Sequence, residues 1–167
     1  KKQLVYSLWS KTDFLKGEVL GFFSPGIEGT LPNGVAYGST SGATYESLSA
    51  IVSKKFVIPK EAFTLSDVEA KYEVYALSAL AHGSTTGIFT VNPSSLLKVC
   101  KLIEQRAEGL VAALINDDES KILKGTASIL PQLRAQMRPA RKTELTQALD
   151  EDGMISPQVI WPSLSTL

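Results

Sequence analysis

Residues 92–116 carry the sequence NPSSLLKVCKLIEQRAEGLVAALIN, which has the clearest regular spacing of apolar side chains in the chain. The intervals alternate between four and three residues, at positions Leu96, Cys100, Ile103, Ala107, Leu110 and Leu114. This spacing brings the six side chains to one face of a helix. Asn92 followed by Pro93 is the chemistry of an N-cap and a first helical residue. The sequence therefore predicts a long amphipathic helix from about Pro93 to Asn116 that buries this face in a core.

Shorter apolar runs on the N-terminal side of this helix predict strands at residues 3–9, 19–23 and 86–91. The second run ends at Ser24-Pro25-Gly26, which is a strong turn signal. Ser66-Asp67-Val68-Glu69 has the Ser-x-x-Glu spacing of a capping box, so a helix is predicted to begin there and to stop near Gly83. Residues 26–42 are rich in Gly, Ser, Thr and Pro and predict a loop with short extended pieces.

The C-terminal third predicts smaller elements. Two short helices are expected at residues 126–137 and 140–149, with Gly153 ending the second, and the apolar residues 159–161 predict a last strand. The alternation of strands and helices predicts an α/β fold with a mixed sheet and crossover helices, because parallel strands need such connections. Residues 1–167 are expected to form a single incomplete domain within a larger one.

Composition limits the function classes. Hydrophobic residues make up 44% and charged residues 20%, as in an ordinary globular protein. The 17 basic and 17 acidic residues cancel, so net charge does not indicate a nucleic-acid or anionic-membrane partner. A lone cysteine cannot form an internal disulfide, and no apolar run approaches the roughly 18 to 20 residues that span a bilayer. The prediction is a cytoplasmic protein with no membrane or nucleic-acid partner.

The two ends of the sequence predict an internal fragment of a longer chain. The first methionine is Met137, and residues 159–167 end the chain in a mostly apolar stretch. Such an end would leave apolar side chains and a strand edge in water. The remainder of the parent chain is therefore an expected partner.

The reactive side chains do not form a recognisable catalytic or metal site. His82 is the one histidine and Cys100 the one cysteine, so a zinc site with the usual ligands cannot be built from them. The sequence also lacks the Gly-x-Ser-x-Gly pattern of a nucleophile elbow. His82 is expected near the last carbonyls of a helix, and Cys100 is expected in the core. We predict no catalytic, cofactor-binding or metal-binding residue in this chain.

Two charge clusters are predicted to be solvated surface. The acidic run at residues 117–119 lacks the spaced oxygen ligands of a calcium loop. The basic cluster has no aromatic residue interleaved for stacking on nucleic acid. Its members are Arg134, Arg138, Arg141 and Lys142.

Residues 37–44, YGSTSGAT, suggest a loop that could approach phosphate. Small hydroxyl residues mixed with glycine allow backbone N–H groups to come close to phosphate oxygens. The segment continues into Tyr45 and Glu46, and a glutamate beside a triphosphate would repel it. A plain loop or the wall of a substrate pocket is therefore favoured over a phosphate loop.

Several segments together resemble the large domain of the Gretchen Hagen acyl acid–amido synthetases, a branch of the adenylate-forming superfamily with auxin-responsive members. Residues 19–23 and then Leu31-Pro32-Asn33-Gly34-Val35 are similar to that family's strand and its Pro-Gly-Gly-Leu-like turn. Residues 40–47 lie where the family has a Val-Leu-Thr-Ser-Tyr-Tyr-Lys-Ser-like stretch. Ile160-Trp161-Pro162 resembles its Ile/Val-Trp-Pro segment. Further matches in the long helix region are Phe89, Leu96, Leu97, Leu102 and Glu104.

The resemblance implies a function for the parent protein. Members of the family use ATP and Mg²⁺ to convert a small carboxylic acid into an acyl-adenylate, and they pass the acyl group to an amine, usually of an amino acid. Their Ser-Ser-Gly-Thr-Ser phosphate loop lies before the region matched here, and their adenine-side tyrosine motif and C-terminal domain lie after it. The fragment is therefore expected to bind no cofactor and to show no ATP–pyrophosphate exchange by itself.

The same resemblance implies substrate-binding residues. Thr40, Ser41, Thr44 and Tyr45 match positions expected in the wall of the acyl-acid pocket. The hydroxyl residues at 40, 41 and 44 replace apolar or aromatic ones, which implies a more polar wall. The alternative is a self-contained α/β binding or scaffold module without ATP chemistry.

Overall fold

The computed structural model describes Ser7 and residues 10–165. Its strands are β1 (Glu18–Gly21), β2 (Gly29–Thr30), β3 (Ala36–Tyr37) and β4 (Thr85–Phe89). Its helices are α1 (Thr40–Glu46), α2 (Ala50–Ser53), α3 (Val68–Ala81), α4 (Pro93–Ile115), α5 (Lys124–Ala127), α6 (Leu130–Gln136), α7 (Pro139–Asp152) and α8 (Pro157–Ile160). Short 3-10 turns occupy Lys60–Thr64 and Glu119–Lys121.

The sheet confirms the predicted mixed α/β class. β1 and β4 pair in parallel, with α1 to α3 in the connection between them, and Phe56 adds a parallel bridge to Val19 on the other side of β1. β2 and β3 form a separate antiparallel hairpin. The strand predicted at residues 19–23 corresponds to β1, and that predicted at 86–91 corresponds to β4. The strand predicted at residues 3–9 lies outside the described residues, apart from Ser7, which is helical.

Helix α3 lies at the centre of the core, since every residue from 73 to 81 is buried. The predicted capping box is wrong by one residue, because Asp67 rather than Ser66 is the N-cap. The Asp67 carboxylate accepts hydrogen bonds from the backbone N–H groups of Glu69 and Ala70. An ionised carboxylate at this position also interacts favourably with the helix dipole. The helix ends at Ala81, two residues before Gly83, which agrees with the predicted stop.

Helix α4 confirms the prediction made from its apolar spacing. Asn92 caps it by accepting a hydrogen bond from the Ser94 N–H, and the helix ends at Ile115. The side chains of Ile103, Ala107, Leu110 and Leu114 are buried, whereas Leu96 and Cys100 are half-buried near its first turns. Its helical geometry is interrupted at Arg106, where φ is −131° and ψ is 19°.

Two predicted elements are wrong. Residues 159–161 do not form a strand, because Val159 and Ile160 belong to α8, which begins at Pro157. Part of the loop predicted at residues 26–42 is helical, because α1 begins at Thr40 after the N-cap Ser39. The Ser39 hydroxyl accepts a hydrogen bond from the Ser41 N–H, a capping contact that a composition rich in glycine and serine conceals.

The helices after α4 agree with the short pieces predicted there. Pro131 lies in the first turn of α6 and Pro139 begins α7. Gly153 caps the end of α7, and its φ of 65° is the left-handed conformation that favours glycine. Within the described part of the chain, no helix combines the length and the apolar character needed to cross a bilayer.

Candidate functional site

A cleft of about 470 Å³ opens at the carboxyl ends of β1 and β4. Its walls are residues 22–24 after β1, residues 90–92 after β4, one face of α3 and the start of α1. Ligands of open α/β sheets bind outside the carboxyl ends of the strands, because the loops diverge there. We call this cavity the strand-end cleft.

Thr40 and Ser41 line the strand-end cleft from the first turn of α1. The Ser41 side chain is buried, and its oxygen accepts a 3.3 Å hydrogen bond from the Ser24 N–H and lies 2.6 Å from the Ser39 oxygen. Thr40 is exposed, and its hydroxyl has no hydrogen-bond partner among the described residues. Ser41 therefore fixes α1 to the strand end, while the hydroxyl of Thr40 is available to a ligand.

Aromatic side chains form the apolar part of the cleft. The rings of Phe22 and Tyr75 meet edge to face with centroids 4.9 Å apart. The Tyr75 hydroxyl donates a 2.8 Å hydrogen bond to the Phe23 carbonyl, and burial raises the pKa of Tyr75. A tyrosine held in this way is a neutral wall of the cleft and not an acid or base near neutral pH.

Lys71 alone among the described residues lining this cleft is positively charged. Its ammonium donates a 3.4 Å hydrogen bond to the Phe63 carbonyl. Burial lowers the pKa of Lys71, and the Glu28 carboxylate opposes that change. The Tyr72 hydroxyl lies 3.3 Å from the Ser95 oxygen, and both residues line the cleft. The cleft thus combines aromatic surface, hydroxyl groups and one half-buried cation.

Thr44 and Tyr45 do not line the strand-end cleft. The Thr44 hydroxyl donates a 2.8 Å hydrogen bond to the Thr40 carbonyl one turn earlier. The Tyr45 ring packs 4.8 Å from the Phe23 ring, measured between centroids, and Phe23 itself lines the cleft. Thr44 therefore stabilises the turn that carries Thr40, and Tyr45 supports the cleft through its contact with Phe23.

The glycines of residues 37–44 serve backbone packing. A Cβ at Gly38 would overlap the Gly26 carbonyl, and one at Gly42 would overlap the Ser24 carbonyl. Because Gly38 and Gly42 have no side chain, α1 lies directly against the turn after β1. The Glu46 carboxylate lies beside Gly26 on the same side of the helix. The arrangement does not resemble a loop with N–H groups directed at a phosphate.

A second polar cluster, which the sequence did not predict, lies at the opposite end of the strands. The His82 Nδ1 lies 3.2 Å from a Glu18 carboxylate oxygen, and the Ser84 hydroxyl donates a 2.5 Å hydrogen bond to the other oxygen. The imidazole is buried and its Nε2 has no hydrogen-bond partner. The interpretation of His82 as a partner for helical carbonyls is wrong for its side chain, because the imidazole turns toward Glu18.

We expect Glu18 to contribute stability that is lost between about pH 4.5 and pH 2. The hydrogen bond from His82, followed by that from Ser84, lowers the pKa of Glu18 from 4.5 to about 2. In the unfolded chain the carboxyl regains its ordinary pKa, so in this window the unfolded state binds more protons and is favoured as pH falls. Urea unfolding of the wild type and Glu18→Gln from pH 6 to pH 2 should show a flatter acid limb for the variant. Glu61→Gln, at an exposed carboxylate, is the control, and parallel acid limbs for all three proteins would contradict the assignment.

Only part of the basic cluster is the solvated surface that the sequence predicts. Arg141 is buried, with 3% of its surface exposed, and it donates to the carbonyls of Leu80, Val159 and Ile160. Arg134 donates to the Ala113 carbonyl and pairs with Asp117 at 2.9 Å. The prediction is wrong for these two arginines because long-range carbonyl partners are invisible to local composition.

Cys100 packs against the core in a half-buried position, close to the expectation of a core thiol. Burial raises the pKa of Cys100, which keeps the thiol protonated and unreactive.

Comparison with known proteins places these features in a family. The chain matches the GH3 family N-terminal domain over residues 2–167. Among solved structures it is similar to one described as GH3.15 acyl acid amido synthetase, with a TM-score of 0.69 and 18% sequence identity. The similarity covers 99% of this chain and 32% of that one, so the chain spans about a third of that structure's length. At this identity the likeness establishes the fold. No match was found among curated protein sequences.

Proposed function

This chain belongs to the GH3 family, and from that membership we propose that it forms part of an ATP-dependent acyl acid–amido synthetase. The parent protein would be an adenylate-forming ligase of the auxin-responsive branch that acts in the cytoplasm. It would activate a carboxylic acid and conjugate it to an amine or amino acid. Residues 1–167 would be one incomplete domain, and the remainder of the parent chain would be its principal partner.

We propose that the strand-end cleft holds the carboxylic acid. The observation that supports this most directly is the unpartnered Thr40 hydroxyl beside an aromatic wall and a half-buried ammonium, that of Lys71. The apolar body of an acid would pack on Phe22 and Tyr75, and Lys71 would attract its carboxylate. Thr40 and Ser41 would form the wall, with Thr44 and Tyr45 acting through the contacts that hold α1 and Phe23 in place.

The residues present do not fit ATP or Mg²⁺. Within the described part of the chain, no three His, Cys, Asp or Glu side chains come together in a way that could hold a metal ion. The glycine-rich segment 37–44 packs on backbone, and Glu46 lies next to it. We therefore propose that ATP and Mg²⁺ bind elsewhere in the longer protein, and we route no step of that chemistry through this chain.

The proposal is tested by Thr40→Val, which removes a hydroxyl and keeps the shape of the side chain. Phenylacetate and 4-hydroxyphenylacetate would be titrated into the isotope-labelled chain while the amide signals of Thr40, Asn92 and Ser95 are followed. We expect both acids to shift these cleft signals. Because a hydrogen bond contributes about 1 kcal/mol, the variant should bind the hydroxylated acid about fivefold more weakly and the unsubstituted acid unchanged.

The control is Thr143→Val, at an exposed threonine of α7 far from the cleft in sequence. Absence of any shift at the cleft signals, for either acid, would contradict the cleft assignment. It would favour the alternative that the chain is an α/β binding or scaffold module with no acid substrate.

A further inference from the structure

Helix α4 consists of two parts that meet at Arg106, the residue where its helical geometry is interrupted. The interruption coincides with an anchored side chain. The Arg106 guanidinium lies 2.6 Å from a carboxylate oxygen of the buried Glu73, and it donates a hydrogen bond to the Lys121 carbonyl. We call residues 93–105 the first part of α4 and residues 107–115 the second part.

The two parts differ in how firmly they pack on the core. In the first part the buried side chains are those of Val99 and Ile103, with Leu96, Cys100 and Leu102 half-buried beside them. The shorter second part buries Ala107, Leu110, Val111, Ala113 and Leu114. Segments that bury few apolar side chains open locally at a lower free energy than the rest of a protein. The first part of α4 is therefore the weaker half of the helix.

The first part of α4 also forms a wall of the strand-end cleft. Ser95 lines the cleft next to Asn92, the N-cap of the helix, and Tyr72 lines it from α3. Besides its apolar contacts, the first part touches α3 at Tyr72. The Tyr72 hydroxyl lies 3.3 Å from the Ser95 oxygen, and the Lys98 ammonium lies 5.0 Å from the centroid of the Tyr72 ring. Water competes for both contacts, because Lys98 is exposed and Tyr72 is only partly buried.

We propose that the first part of α4 is a movable wall of the strand-end cleft, which opens as one unit about Arg106 while the second part stays packed. Opening separates Ser95 and Lys98 from Tyr72 and widens the cleft between α3 and α4. The contacts of Arg106 with Glu73 and with the Lys121 carbonyl hold the pivot in place. This device is a property of the fold, and it does not depend on which ligand the cleft holds.

The test is native-state hydrogen exchange of the 167-residue chain at a series of low urea concentrations, with no ligand added. The amides of Lys101, Leu102 and Glu104 should share one opening free energy and one weak urea dependence, since they open together and expose little surface. After correction for intrinsic rates, they should exchange at least about tenfold faster than those of Val111 and Leu114. A steady decrease in exchange rate from Pro93 onward would indicate fraying and would overturn the proposal, as would equal protection along the whole helix.

Tyr72→Phe removes the hydroxyl that meets Ser95 and keeps the ring. Because a hydrogen bond contributes about a fivefold change in an equilibrium, the variant should accelerate exchange of the first-part amides by about that factor. The amides of Val111 and Leu114 should keep the protection that the global stability of the variant sets. Tyr37→Phe, at a half-exposed tyrosine of the β2–β3 hairpin, is the matched control and should leave both parts unchanged. Equal acceleration of both parts in Tyr72→Phe would show that α4 opens as a single rigid helix and would overturn the proposal.

Discussion

Replacing Glu73 with alanine is expected to lower the free energy of unfolding by about 3 to 5 kcal/mol. Glu73 lies in α3 and is completely buried. One carboxylate oxygen lies 2.6 Å from a guanidinium nitrogen of Arg106, and the other accepts a 2.8 Å hydrogen bond from the Leu123 N–H. The substitution removes both contacts, so a backbone donor loses its partner and a guanidinium that is 34% exposed loses its counter-ion.

The contact also has a geometric role in α4. Arg106 is the residue at which α4 departs from helical geometry, and its second terminal nitrogen donates a 2.5 Å hydrogen bond to the Lys121 carbonyl. Glu73 thus connects α3 to the irregular turn of α4 and, through Arg106, to the segment that follows α4. Loss of the carboxylate should loosen all three parts of the chain together.

Urea unfolding at pH 7 would measure the effect. Glu69→Ala is the matched control, since Glu69 lies one turn earlier on α3 with an exposed side chain. Glu73→Gln retains an oxygen that can accept from Leu123 and should lose less than Glu73→Ala. The double variant Glu73→Met with Arg106→Met should be more stable than Glu73→Ala, because it removes both charges at once. A loss in Glu73→Ala no larger than that in Glu69→Ala would disprove the assignment.

The parts of the fold that the sequence predicts are those specified by short-range signals. Helix α4 has a cap, a proline and an apolar spacing that all indicate the same structure, and each signal acts within a few residues. The last helix shows the opposite case. Residues 159–161 are apolar and too short for their period to distinguish a strand from a helix. Ser156 and Pro157 before them are the helix-start signal that could have corrected the prediction.

The candidate site depends on contacts that local patterns do not contain. Ser41 and Tyr45 are four residues apart on the buried face of α1, which places them about 6 Å apart along the helix axis. Ser41 lines the strand-end cleft, whereas Tyr45 packs against the Phe23 ring and lines two other cavities. The sequence identified α1 as a segment of interest. Its two buried side chains are placed by the Ser24 N–H and the Phe23 ring, contacts that only the folded chain defines.

The role of Arg141 in the basic cluster likewise depends on contacts that the local sequence does not contain. In the sequence it is one of several neighbouring cations, and nothing nearby distinguishes it from Arg138. In the fold, its guanidinium accounts for hydrogen bonds of 2.8 Å to the Leu80 carbonyl, 2.7 Å to that of Val159 and 3.0 Å to that of Ile160. A fourth contact of 3.0 Å joins it to the Glu144 carboxylate three residues later. Arg141 therefore ties the end of α3 to α8.

Replacing Arg141 with methionine, which has a similar apolar stem, should lower the free energy of unfolding by about 3 to 5 kcal/mol, because three carbonyls lose their donor at once. Arg141→Lys should recover only part of this loss, since an ammonium cannot reproduce the planar fork that reaches both α3 and α8. Arg138→Met, at an exposed arginine in the preceding turn, is the control and should change stability little.

Hydrogen exchange adds a local measurement of the same contact. The amides of Ile160 and Trp161, which donate to Ser156 and Pro157, should exchange faster in Arg141→Met than in Arg138→Met. Equal exchange at these two amides would show that α8 is held by its apolar contacts and not by Arg141.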